Sequence, residues 1–227
     1  MPPAIASKTA ADEANPELLV QPPIVTFETE RLQMRTMTMD DVDGILPIIQ
    51  DESVMQWTSR PPVQNRDQAA QWVSSRALGP NVFNFCIREK SSGTATGSTR
   101  VVGMVGAFHW PMVGYMIHPD FKGKGYATEA LKAFIPRYWE RVPNASEEGT
   151  GHDVLEGYTD SENFASHRIL EKCGFTRCET SVRDFESPSM GLRDSIAFRL
   201  PRPGKTLADL GFDPSAKEEA PPEPSVQ

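Results

Sequence analysis

The chain has 227 residues, 38% of them hydrophobic, and a formal net charge of −8, which leaves room for one domain with flanking segments but is cramped for two. Residues 1–24 carry −2 of that charge and residues 204–227 carry −3, so the rest is only mildly acidic and lacks the basic face that nucleic acid requires. No apolar run approaches the roughly 18 residues of a membrane span, and the N-terminus lacks the basic and apolar regions of a secretory signal. Cys86, Cys173 and Cys178 form no C-x-x-C pair and no even-numbered disulfide framework, which points to a reducing compartment. The expected location is the cytoplasm, with the nucleus also open.

Residues 1–24 are rich in Pro and Ala and poor in large apolar side chains, so a disordered leader is expected there. From Thr29 the pattern changes. Leu32, Met34 and Thr36 alternate with Arg31, Gln33 and Arg35, which predicts a half-buried strand. Thr38 or Asp40 is placed to cap a helix through Val42, Ile45, Leu46 and Ile49, with Pro47 expected to break or kink it. A second helix begins at Asn65 or Asp67 and runs through Ala69, Trp72, Val73 and Leu78. Val82–Arg88, Val101–Phe108 and Trp110–His118 read as strands, the first two separated by a flexible Ser/Gly/Thr loop at 91–99. After a helix and a second loose excursion from Arg141 to His152, Asp153–Tyr158 reads as a strand. Another helix and two last strands, around Arg177–Phe185 and Arg193–Leu200, follow before Pro201 and Pro203. The expected division is therefore a leader at 1–24, a domain at 25–203 and a mostly disordered acidic Pro-rich tail at 204–227. The expected fold is α/β, a mixed and mostly antiparallel central sheet flanked by helices.

The stretch Pro119-Asp-Phe-Lys-Gly-Lys-Gly-Tyr-Ala-Thr128 carries the chemistry. Beyond it Ala127, Ala130, Leu131, Phe134 and Ile135 recur at helical spacing, so a helix begins where the glycines stand. The first turn of a helix has N–H groups without internal acceptors and a partial positive charge. Gly123 and Gly125 allow close backbone approach there, and Lys122 and Lys124 add formal charge, which together suggest a pyrophosphate cradle. The dinucleotide fingerprint G-x-G-x-x-G/A fails because Thr128 holds its third position. The phosphate loop G-x-x-x-x-G-K-S/T fails at Gly204-Lys205-Thr206 because Arg199 stands at its first glycine.

What remains is Lys122-x-x-Gly125-x-Ala127, which resembles the Arg/Gln-x-x-Gly-x-Gly/Ala acyl-CoA loop of the GNAT acetyltransferases, with Lys in the first position. Downstream, Asn163-Phe-Ala-Ser166-His-Arg-Ile-Leu-Glu-Lys-Cys-Gly174-Phe175 is similar to the family's N-x-x-S-x-x-x-L/Y-E-K-x-G-F segment. The resemblance runs from about Thr29 to Arg202 and is nearest the branch of ribosomal-protein alanine N-acetyltransferases. It implies a GNAT fold and direct transfer of acetyl from acetyl-CoA to a primary amine of a small molecule or protein N-terminus, without an acyl-enzyme. It further implies a cofactor surface of Met116, Ile117, His118, Lys122, Gly123, Lys124, Gly125, Tyr126, Ala127 and Thr128, with Asn163 on the pantetheine arm and Ser166 near the departing sulfur. Trp57 and Trp72 fall where the family borders its acceptor groove, although packing on the sheet is the plainer expectation for both, as it is for Tyr115. Dimers are common in the branch, so a homodimer is compatible.

Many family members carry a Glu before the segment here written Val113-Gly114-Tyr115, and this chain has Met112. A base must therefore come from elsewhere. The candidates are Asp184 and Glu186, which lie where the branch can place a carboxylate, and His109 and His118, because imidazole accepts a proton near neutrality. A water chain with no single base is equally compatible. The alternative from another class is an acyl-CoA-binding protein without catalysis. The four histidines show no paired ligand spacing, so no metal is expected, and neither nucleic acid nor membrane is an expected partner.

Overall fold

The computed structural model describes residues 20–90, 100–145 and 151–212. The loop expected at 91–99 lies outside these, as do 146–150 of the second excursion, 1–19 of the expected leader and 213–227 of the expected tail. Within the described part, strands β1 (Thr26–Glu28) and β2 (Leu32–Thr36) come first. Along β2 Leu32, Met34 and Thr36 are buried while Gln33 and Arg35 are half-buried, the period-two pattern that the sequence predicts.

A 3₁₀ turn at Met39–Asp41 then feeds helices α1 (Val42–Ile49), α2 (Glu52–Met55) and α3 (Arg66–Ala77). The 3₁₀ turn, α2 and α3 each have a side-chain acceptor at their start, whereas α1 continues from the turn without one. Asp41 Oδ2 takes the Thr38 N–H at 2.9 Å, Asp51 Oδ1 takes the Val54 N–H at 3.2 Å, and Asn65 Oδ1 takes the Gln68 N–H at 2.9 Å. Pro47 does not end α1, which runs on to Ile49. The carbonyl it deprives of a donor belongs to Asp43, and both residues are exposed, so water can serve in its place.

Strands β3 (Phe83–Glu89), β4 (Val101–His109) and β5 (Met112–Ile117) follow, then α4 (Tyr126–Arg141), β6 (Val154–Asp160), α5 (Phe164–Lys172), β7 (Thr176–Ser187) and β8 (Gly191–Pro201). All eight strands form one sheet in the order β1-β2-β3-β4-β5-β6-β8-β7. Every neighbouring pair is antiparallel except β5 and β6, which α4 connects as a crossover. Those two strands meet at a single pair, Met112 beside Glu156, and separate beyond it.

Two apolar clusters hold the layers together. Ile45, Ile49, Val54, Trp72 and Val73 of the early helices pack with Cys86, Val101 and Met104. Phe83, Phe85, Val105 and Phe198 pack with Leu131, Phe134 and Tyr138 of α4 and Leu170 of α5. The buried members of α4, Ala127, Ala130, Leu131, Phe134 and Tyr138, lie at helical spacing, and burial of a side chain the size of Phe134 contributes about 2 kcal/mol. The two clusters fix α3 and α4 while the strands between them diverge, which leaves an opening beside β5.

Candidate active site

Strand β5 ends at Ile117, a 3₁₀ turn covers Pro119–Phe121, and α4 starts at Tyr126 with Gly125 as its N-cap. Gly123 has φ +78° and Gly125 has φ +80°, left-handed conformations that a side chain opposes. A Cβ on Gly123 would meet no atom within 4 Å, and one on Gly125 would come to 3.5 Å from Arg31 Nη2. The space above the loop is therefore open, and the first-turn N–H groups of α4 stand at its floor.

The loop is clamped from behind. Arg31 donates to the Lys124 carbonyl at 2.9 Å and to Glu129 Oε2 at 2.7 Å, and Glu129 also accepts the Arg31 N–H at 2.9 Å. Burial would raise the Glu129 pKa, but these donors and Thr29 hold it below the usual carboxylate range. It stays ionised at the N-terminal turn of α4, where negative charge is favoured.

A cavity of about 990 Å³ runs along β5, and its walls include Lys122, Gly123, Gly125, Tyr126, Ala127, Thr128, Met116, Ile117, Asn163 and Ser166. These predicted residues are brought together. Asn163 caps α5, its Oδ1 accepting the Ser166 N–H at 3.2 Å. Lys122 reaches across to α2, its Nζ 2.8 Å from Ser53 Oγ. Tyr126 donates to Glu89, which raises the Tyr126 pKa.

Four predicted residues are not part of the cavity wall. His118 caps the 3₁₀ turn, its Nδ1 accepting the Asp120 N–H at 3.2 Å, and its Nε2 lies 3.2 Å from Arg100 Nη2. Lys124 places its ammonium 4.5 Å from the centre of the Phe121 ring. Asp184 accepts from Ser195 N–H at 3.0 Å and Ser195 Oγ at 2.6 Å, and exposed Glu186 sits opposite Leu192 in the β7–β8 ladder. The other candidate base, His109, does line the cavity.

The register decides which backbone groups face the opening. His118 N–H bonds to Val102 O of the β4 segment at 2.9 Å, and Met116 lies opposite Met104. By the two-residue alternation of an antiparallel ladder, Met116 and His118 turn their N–H groups toward β4, whereas Val113, Tyr115 and Ile117 turn theirs toward the gap.

Tyr115 is the residue that sequence reasoning passed over. Its hydroxyl lies 2.6 Å from Ser166 Oγ and 3.2 Å from the Ser166 carbonyl. Burial pushes the Tyr115 pKa up, only partly offset by the bond to Ser166, so the phenol keeps its proton. The two carboxylates in the wall near the start of α5, Asp160 and Glu162, are both bound by Arg193, at 2.8 Å each. Burial would raise the Asp160 pKa, but Arg193 and the Glu162 N–H hold it low, which makes Asp160 a poor base. Tyr158 is pushed up to about 12 by burial and by Glu156. Among the described residues no group of three or more His, Cys, Asp or Glu is arranged to hold a metal ion. No helix among them is long and apolar enough to cross a membrane.

An open glycine loop at the start of α4, a gap between β5 and β6 and a hydroxyl pair thus share one cavity. The chain belongs to the GNAT acetyltransferase family: residues 31–176, more than half of it, match the acetyltransferase (GNAT) domain. It is an acetyl-CoA-dependent transferase that moves acetyl to an amine. It is 25% identical over 178 residues to the protein named Uncharacterized N-acetyltransferase p20 of Bacillus licheniformis, covering 77% of this chain and 95% of that one. In fold it is similar to a GNAT-family acetyltransferase of Bacillus anthracis, with a TM-score of 0.61, 19% identity and coverage of 78% and 98%. RimL, a ribosomal L7/L12 α-N-protein acetyltransferase solved with coenzyme A, is likewise similar, with a TM-score of 0.59, 13% identity and coverage of 79% and 98%.

Proposed function

We propose that the chain transfers acetyl from acetyl-CoA to the primary amine of a small molecule or protein N-terminus, with its catalytic unit at residues 25–203 and Ser166 as the acid. The observation that carries this reading is the Tyr115–Ser166 hydroxyl pair on the same cavity as the Gly123–Gly125 cradle. The cradle residues fit a pyrophosphate because their φ values exclude side chains and the space above them is open. Lys122 adds positive charge at the cavity wall. The outward N–H groups of Tyr115 and Ile117 fit the amide-bearing arm of the co-substrate, and Asn163 stands across the gap from them.

Attack by a neutral amine forms the C–N bond and breaks the C–S bond. The thiolate takes a proton from Ser166 Oγ, while the buried Tyr115 hydroxyl keeps its own proton and holds Ser166 in place through their hydrogen bond. The proton that the amine sheds balances the one the sulfur gains. His109 is the candidate base that lines the cavity, and it lies at the end of β4 away from the cradle. Preorganised N–H groups on the open edge of β5 polarise the carbonyl.

Calorimetric titration with acetyl-CoA, with free CoA and NAD(P) as comparisons, tests the cradle. Release of free thiol on adding amines tests transfer. Saturable acetyl-CoA binding with thiol release is the expected result. Absence of both would end this reading.

A further inference from the structure

The end of the cavity remote from the cradle has an electrostatic character of its own. From Ile117 to Met112 strand β5 rises roughly 17 Å, and at its far end the wall is made by Phe108 and His109 of β4, Trp72 and Arg76 of α3, and Arg60. The Arg76 guanidinium lies 3.8 Å from the Trp72 ring centre and 5.2 Å from that of Phe108, a stack that leaves its in-plane donors at the edge. Its Nη1 donates to Ser75 Oγ at 3.0 Å and, more weakly, to the Trp72 carbonyl at 3.4 Å. No carboxylate among the described residues pairs with it. Burial, and then the charge of Arg60, press its pKa down, the mark of a cation without a counter-charge.

Arg60, an exposed residue of the same wall, stands beside it. The carboxylates elsewhere in the wall do not offset the cations, because Arg193 already binds both Asp160 and Glu162. Two arginines at one end of the cavity, neither paired with a carboxylate among the described residues, thus call for an anionic oxygen group.

We propose that the acceptor is a primary amine whose carrier also bears a carboxylate or phosphate, and that Arg76, aided by Arg60, binds that group. This rests on the acetyl-transfer reading above and adds the substrate class to it. A planar fork held edge-on suits the paired oxygens of either group.

Initial rates with the full chain at saturating acetyl-CoA compare matched acceptors: β-alanine with β-alaninamide, phosphoethanolamine with ethanolamine, and a short peptide with Glu beside its N-terminal residue with its Gln counterpart. The anionic member of at least one pair is expected to have a kcat/KM more than about tenfold higher, and the pair that responds separates carboxylate, phosphate and peptide sources. In Arg76→Met the KM of that member rises about ten- to a hundredfold, while the neutral member keeps its KM and acetyl-CoA its affinity. Arg60→Gln, at an exposed residue, gives a smaller change in the same direction, and it carries the test together with Arg76→Lys should Arg76→Met not fold. Neutral acceptors used as well as anionic ones, or variants that shift both alike, would overturn the proposal. Acetyl-CoA binding and thiol release that persist without any preference for the anionic member would sink this inference alone, whereas loss of both would sink the transfer reading itself.

Discussion

The Tyr115 hydroxyl on β5 and the Ser166 hydroxyl on α5 lie 2.6 Å apart, although 51 residues separate them in the chain. The contact couples a buried, firmly protonated phenol to a small hydroxyl on the cavity wall. Ser166→Ala is expected to lower kcat about a hundredfold with acetyl-CoA affinity unchanged. Tyr115→Phe, which keeps the ring, is expected to lower it about tenfold, since Tyr115 is a positioning residue. Because both act through one bond, the double variant is expected to match Ser166→Ala. Additive losses would dissolve the pair as a unit.

Gly125 supports a prediction with two arms. Gly125→Ala places a Cβ at φ +80° without a backbone clash, so its cost is conformational, about 1 kcal/mol and about 2–4 °C in Tm. Gly125→Glu adds bulk and negative charge at the cradle and is expected to abolish acetyl-CoA binding by calorimetry. Undiminished affinity there would leave the loop as a simple turn.

His109→Gln is expected to lower kcat/KM about tenfold while acetyl-CoA affinity holds. An unchanged kcat/KM would assign proton removal to water.

Asp41 governs acid stability. It is 3% exposed and lies 2.7 Å from Arg35 and 2.6 Å from Arg88. Burial works to raise its pKa, but the Thr38 N–H and the two arginines together hold it below the ordinary value. A depressed folded-state pKa means that the stabilisation is present above the unfolded pKa and is lost as pH falls through the folded one, that is, below about pH 4. Asp41→Asn is expected to lose about 3 kcal/mol at pH 7, a deficit that narrows as the pH drops below 4. Urea midpoints across that range measure it, and a constant deficit would exclude the carboxylate as its source.

Local patterns were the readable ones. The glycine loop, the α5 motif with its Asn163 cap and the alternation of β2 each lie within a dozen residues, so periodicity and turn chemistry expose them. Pro47 does not end α1, because the carbonyl it leaves without a donor belongs to Asp43, an exposed residue. Arg76 looks like a solvated charge on a polar helix until the sheet brings Phe108 over it. Tyr115 and Glu129 find partners 51 and 98 residues away, and no local pattern signals such a meeting. That Met116 and His118 turn their N–H groups to β4 was not legible either, because strand register, which decides N–H direction, is a tertiary property.

The sheet is joined across its middle by one parallel rung, Met112 to Glu156, with five strands on one side and three on the other. Beyond that rung the edges of β5 and β6 are left without each other. A guest with amide groups laid in that gap would bridge the two wings as a keystone. Because such a guest binds the folded chain alone, the unfolding temperature is expected to rise with its concentration.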